Sequence, residues 1–261
     1  DIRILILAEP RTALSQEEVD RINRYIERGG NMIVLGDPAS RDRVNPIIAP
    51  LGVQLEPGIL VKPSAKYQTD LLLSKPTAAG AASNMYLNDL KKRQSVVTMP
   101  NASPLSVNPA QGFQATTWLT SDSTGSWNEL ETTNFIDEKA VLNPGVGEKA
   151  EPFPTVVALS RAVKGRTQKI IVTGDADWIS NGELGAQRYE MNASNFNLIL
   201  ASFYWLSDNE VPIDMSRPVP TDYTASMSEG AWTVFKIFLK WVLPIGLLAF
   251  SLLLWIKRRG K

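Results

Sequence analysis

The run Trp232-Thr-Val-Phe-Lys-Ile-Phe-Leu-Lys-Trp-Val-Leu-Pro-Ile-Gly-Leu-Leu-Ala-Phe-Ser-Leu-Leu-Leu-Trp-Ile256 is apolar on every side of a helix. At about 1.5 Å per residue it is long enough to cross a hydrocarbon layer roughly 30 Å thick. A core helix of a soluble protein keeps a polar stripe and seldom ends in a compact basic cluster. Here Trp232, Trp241 and Trp255 lie towards the ends, where amphipathic rings prefer the headgroup level, and Lys257, Arg258, Arg259 and Lys261 follow at once. The pattern predicts a transmembrane helix over 232–256 and, by the positive-inside rule, a cytoplasmic tail over 257–261. Residues before 230 are then expected outside the cytoplasm.

Lys236 and Lys240 interrupt the outer end of this run and stand four residues apart, on one helical face. The charge-free part from Trp241 to Ile256 extends only about 24 Å, which pulls Lys240 toward the membrane. Both lysines are therefore candidates either for snorkelling or for contact with a membrane partner. Pro244 removes the N–H that would bond the carbonyl of Lys240 and adds a bend.

The rest of the chain reads as globular. Of the 261 residues 44% are hydrophobic and 21% charged, with 27 basic and 27 acidic side chains, and neither a histidine nor a cysteine occurs. Without thiol or imidazole there is no Cys nucleophile, no Cys-type zinc site and no Ser-His-Asp relay. Zero net charge, with no Lys/Arg run before the last residues, lacks the footprint of a nucleic-acid binder. No cofactor is indicated. The opening on Asp1 and an immediate strand suggests that upstream sequence has been removed.

Ile2-Arg-Ile-Leu-Ile-Leu7 reads as a strand buried on both faces, and Met32-Ile-Val-Leu35 as a second. Between them Ser15-Gln-Glu-Glu18 is a capping box, Leu14 can staple onto Val19, and Val19, Ile22, Tyr25 and Ile26 make one apolar stripe before Gly29 stops the helix. The unit is βαβ, with a right-handed parallel crossover. Further strands are expected over 94–99, 113–119, 155–160 and 169–173, and a closing helix over 195–206. The expected class is α/β, an open, mainly parallel sheet flanked by helices over residues 1–209. An irregular insertion is expected around 57–108, and a Pro-containing linker over 210–231.

Arg28-Gly-Gly-Asn31 ends a helix rather than opening one, so it is a cap and not a dinucleotide fingerprint. Ile171-Val-Thr-Gly-Asp-Ala-Asp-Trp-Ile-Ser-Asn181 runs from a strand into two carboxylates, and Leu35-Gly-Asp-Pro38 places Asp37 at the matching end of another strand. Open α/β sheets bind ligands at such ends. Asp37, Asp175, Asp177, Trp178 and Asn181 are therefore the candidate ligand- or metal-binding residues, with Mg²⁺ or Ca²⁺ the suited ions. The competing and preferred reading is structural. Asp before Pro is turn chemistry, and Asp175, Asp177 and Ser180 can accept backbone N–H bonds.

Several segments together resemble the gliding-motility auxiliary (GldG-like) family of ABC-type transport systems. They are Leu14-Ser-Gln-Glu-Glu18 running on to Ile26 through Pro38, Thr173 to Asn181, Asn195 to Leu206 with its Tyr204-Trp-Leu206, and the C-terminal span. The resemblance implies a class I glutamine-amidotransferase-like or flavodoxin-like domain without the family nucleophile. It also implies a non-catalytic accessory subunit, ligand-sensing or partner-binding, anchored in a bacterial inner membrane beside ABC permease and ATPase subunits. Two other readings stay open: a metal-assisted hydrolase using Asp37, Asp175 and Asp177, and a stand-alone small-ligand or glycan receptor using Trp118, Trp127 and Trp178.

Overall fold

The computed structural model describes residues 3–186, 188–208 and 229–259, without the side chains of Tyr189 and Glu229. Most of the expected linker over 210–231, together with Ile2 and Lys261, lies outside the described residues. The chain divides into two units, Asp1–Ile213 and Asp214–Lys261.

In the first unit the strands are β1 (Ile4–Ala8), β2 (Asn31–Leu35), β3 (Val53–Leu55), β4 (Ile59–Val61), β5 (Leu71–Pro76), β6 (Val97–Pro100), β7 (Leu105–Val107), β8 (Gln114–Thr120), β9 (Trp127–Glu129), β10 (Pro154–Val163) and β11 (Arg166–Thr173). The helices are α1 (Gln16–Glu27), α2 (Arg41–Ile48), α3 (Ala78–Ser83), α4 (Met85–Lys92), α5 (Asn181–Gly185) and α6 (Asn195–Leu206). Seven strands form the main sheet in the order β1-β2-β11-β10-β8-β5-β6.

The βαβ unit forms as expected. Ser15 Oγ accepts the N–H of Glu18 and the Glu18 carboxylate accepts the N–H of Ser15 at 2.7 Å, closing the capping box. Gly29 stops α1 at φ +89°, and β1 pairs with β2 in parallel. The sheet as a whole departs from the mainly parallel expectation. Only β1·β2 and β2·β11 are parallel, while β11·β10, β10·β8, β8·β5 and β5·β6 are antiparallel. For β11·β10 the cause is the connection length. A two-residue turn, Lys164-Gly165, joins β10 to β11, too short for a crossover and able to make only a hairpin. The sheet is mixed α/β with helices on both faces.

The stretch expected to be irregular over 57–108 carries β4 to β7 and both α3 and α4, and β5 and β6 belong to the main sheet. Its small-residue run forms the helix Ala78–Ser83, capped where Thr77 Oγ1 accepts the N–H of Gly80 at 2.8 Å.

Alternation along the central strands feeds two cores. Ile33, Leu35, Val156, Ala158 and Ile171 point to the face covered by α4 and α6, and Met32, Val34, Val157, Leu159, Ile170 and Val172 to the face covered by α1 and α2. The expected burial holds for β2 and β11 but not for β1, where Ile4 and Leu5 are half-buried and Ile6 is 51% exposed. β1 is an edge strand, so its aliphatic run lacks a neighbour on one side and cover over Ile6.

Gln168 is 1% exposed and ties α1 to the sheet: its amide donates to the carbonyls of Ile26 and Gly30, both at 2.8 Å, and its oxygen accepts from Arg161 Nε at 2.6 Å. Gln168→Leu keeps the volume but removes all three of these bonds, leaving the Ile26 carbonyl to Arg161 and the N–H of Gly29 alone. We expect a loss of about 1–3 kcal/mol in stability, read from denaturant midpoints. An unchanged midpoint would show that the helix end is satisfied without Gln168.

Candidate functional site

Close backbone packing builds the carboxyl ends of β2 and β11. Gly174 donates to the carbonyl of Thr155 at 2.9 Å and accepts the N–H of Ser103 at 2.7 Å. A Cβ on Gly174 would fall 2.1 Å from the Ser103 oxygen, so only glycine fits. The parallel pairing Leu35↔Thr173 then sets Asp37 and Asp175 at neighbouring strand ends.

Asp175 is fully buried, and both its oxygens are engaged: Oδ1 accepts the N–H of Asp177 at 2.8 Å and Oδ2 that of Trp178 at 3.0 Å. These bonds start the 3-10 turn Asp177–Ile179. Burial drives the Asp175 carboxyl well above its ordinary range, and the charges of Asp177 and Asp37 push the same way against the two N–H donors. Asp37 is half-buried and caps the turn Pro38–Ser40, accepting the N–H of Ala39 at 2.7 Å. Burial raises its pKa, the Ala39 bond opposes this, and Glu9 and Asp177 add to the rise.

The other expected members do not converge on a ligand. Asp177 is exposed, Trp178 is buried at 0% exposure with its carbonyl taken by Asn195 Nδ2 at 2.9 Å, and Asn181 is an exposed first residue of α5. Among the described residues no group of three or more acidic side chains is arranged to hold a metal ion. Trp118, Trp127 and Trp178, the aromatic platform of the receptor reading, are 1%, 7% and 0% exposed and so belong to the interior.

Two cavities lie elsewhere. One, of about 230 Å³, is lined by Thr98, Glu183, Arg188, Asn195 and Phe196. Burial pushes Glu183 up, but the bonds from Arg188, at 2.6 and 2.9 Å, and from Thr98 outweigh it and hold the carboxylate below its usual pKa. The other, of about 300 Å³, opens between α4 and α6 and includes Tyr86, Lys169, Tyr204 and Trp205. Tyr204-Trp205 lies in one of the segments that carry the family resemblance, but its partners come from α4 and β11 and share no sequence spacing with it.

Asp175→Asn tests the capping role, because an amide offers one oxygen to two N–H groups. At pH about 4 we expect a loss of about 1–3 kcal/mol. The wild-type carboxyl binds its proton more tightly folded than unfolded, so between the unfolded pKa of about 3.9 and the higher folded value the native state holds more protons. Wild-type stability therefore falls as pH rises through that window, and the deficit of Asp175→Asn shrinks. Exposed Asp177→Asn should cost no stability, since removing its charge eases the repulsion on Asp175 and Asp37. Denaturant melts at several pH values check this, and a deficit that grows with pH would refute the assignment.

No curated protein matches the chain. Among solved structures, the mmIFT52 N-terminal domain superposes with a TM-score of 0.53 at 15% identity, covering 80% of this chain and 79% of that one. At that identity the likeness is one of fold alone. The family model described as "ABC-type uncharacterized transport system" matches residues 1–202, most of the globular unit, and the chain thus belongs to the auxiliary proteins of ABC-type transport systems.

Proposed function

We propose that this auxiliary protein is a non-catalytic, membrane-anchored subunit whose globular unit lies outside the cytoplasm and senses a ligand or engages the transporter. The observation that carries the reading is the C-terminal helix. Gly230–Arg259 is 30 residues long, apolar enough to cross a membrane, and buried nowhere in the structure. An apolar surface of that size exposed to water is costly at about 25 cal/mol per Å², and a bilayer removes the cost. The absence of His and Cys and the commitment of Asp175 to backbone bonds support the lack of catalysis. The ABC permease and ATPase are the partners this reading requires, since the chain carries one such helix among its described residues and no Walker motif. The narrower likeness to gliding-motility auxiliary proteins belongs to the same reading.

Alkaline carbonate extraction tests the anchor. The full chain should stay with the membrane pellet, and a variant ending before residue 229 should be released. Protease added to spheroplasts should digest the globular unit and spare a C-terminal tag. Extraction of the full chain, or digestion of the tag alone, would overturn the anchor or its orientation.

Within this reading Lys236 and Lys240 contact a polar group of the permease. Lys240→Leu should remain inserted, since it lengthens the apolar span, yet co-purify more weakly with the permease. Unchanged co-purification of Lys240→Leu and of its double variant with Lys236→Leu would make the helix a simple tether.

A further inference from the structure

The cavity between α4 and α6 reaches β11 at Lys169, just before that strand begins to pair with β2, and not at the strand end that leads to Asp175. Its walls are aromatic. Tyr86 and Tyr204 stand with ring centroids 5.3 Å apart at 47°. Trp205 is partly exposed and rests edge-on against the buried Trp118 at 5.2 Å. Met85, 74% exposed, stands at the rim.

One charged pair completes the cleft. Lys169, whose side chain is 13% exposed, donates through Nζ to the carbonyl of Trp205 at 2.7 Å and to the carboxylate of Asp208. Its ammonium also sits over the Trp205 ring, 5.4 Å from the centroid. An ammonium has three N–H donors, so two bonds leave one, and a carboxylate with two oxygens keeps acceptor capacity after one contact. The backbone behind the pair is fixed: Asn31 Oδ1 accepts the N–H of Lys169 at 2.9 Å and Asn31 Nδ2 donates to the Leu206 carbonyl at 2.7 Å.

We propose that this cleft binds a neutral pyranose ring. A pyranose presents one apolar face of axial C–H bonds, suited to an aromatic ring, and edges of hydroxyls that donate and accept together. Neighbouring hydroxyls match the adjacent donor of Lys169 and acceptor of Asp208. Charge decides against the alternatives. A cationic ligand, which tyrosine and tryptophan rings otherwise favour, meets Lys169 already at the Trp205 face, and an anion meets Asp208. A cavity of about 300 Å³ is the size of a small-ligand site. The inference gives the ligand-sensing part of the proposed function a ligand class and rests on that reading. Carbonate extraction fails with the anchor, whereas sugar binding fails only with this cleft.

The test is saturation-transfer NMR on the full chain in lipid nanodiscs, which avoid glycoside detergents. Glucose, galactose, mannose and N-acetylglucosamine are offered singly at about 10 mM, with choline as the cationic arm. At least one sugar should receive saturation on the C–H protons of one ring face, and choline none. Tyr204→Ala should weaken binding by about tenfold or more. Asp208→Asn, at an exposed position whose left-handed φ of +56° suits asparagine, should weaken it severalfold in a chain that still melts cooperatively. Transfer to no sugar, stronger transfer to choline, or sugar binding undiminished in Asp208→Asn overturns the proposal.

Discussion

The globular unit depends on β11 being held from both sides at once. One edge takes a parallel partner, β2, and the other takes an antiparallel one, β10, so the strand joins the crossover half of the sheet to its hairpin half. Ile170 and Val172 fill one core and Ile171 the other, which leaves no solvent face over these residues. A strand fixed in this way cannot slip, because a one-residue shift would exchange its two sets of side chains between cores already filled. Lys169, placed by register just before the pairing with β2 begins, and Gly174 and Asp175, just past the strand's carboxyl end, inherit that rigidity.

The two ends use it differently. After Gly174 the chain meets the Ser103 backbone so closely that no side chain is tolerated, and the next carboxyl is enclosed. An enclosed carboxyl must be bonded or neutral, and Asp175 meets both demands by accepting two N–H groups while its pKa rises. Its oxygens are thereby spent on the turn that follows. At the Lys169 end the polar groups stay half open, because the C-terminus of α6 supplies one carbonyl and one carboxylate to an ammonium that can bond more. Spare hydrogen-bonding capacity, and not the number of charges, separates the two ends.

What the sequence made legible follows the same physics. Local signals were readable: the capping box at Ser15, the left-handed stop at Gly29, the closing helix Asn195–Leu206 and the buried runs of β2 and β11. Strand direction was not, since a buried aliphatic run has the same pattern whether its neighbour is parallel or antiparallel. The connection between β10 and β11 carried that information in its length. Edge position was equally hidden, so Ile4 to Ile6 read as interior and Ile6 is not. For the site, the structural reading of Asp37 and Asp175 was within reach because both caps act over two or three residues. The Tyr86, Lys169 and Tyr204 cleft unites residues far apart in the chain and had no local signal to give.

The C-terminal helix shows a local rule with a consequence beyond its own turn. Pro244 has no N–H for the carbonyl of Lys240, and its ring crowds that oxygen, so the α-helical ladder cannot pass straight through. The structure widens the preceding turn, Phe238–Val242, into a π-helix, in which the N–H of Leu243 reaches back to the carbonyl of Phe238. Lys240 sits inside this turn, with its ammonium 5.9 Å from the ring centre of Trp241, while Lys236 lies 5.6 Å from that of Trp232. Each charge therefore rests on an aromatic ring of its own helix, an arrangement that eases a cation at the edge of an apolar layer. The widened turn shifts the helical phase between the lysine-bearing half and Leu243–Arg259. A partner lying along both halves of the helix would have to follow that break.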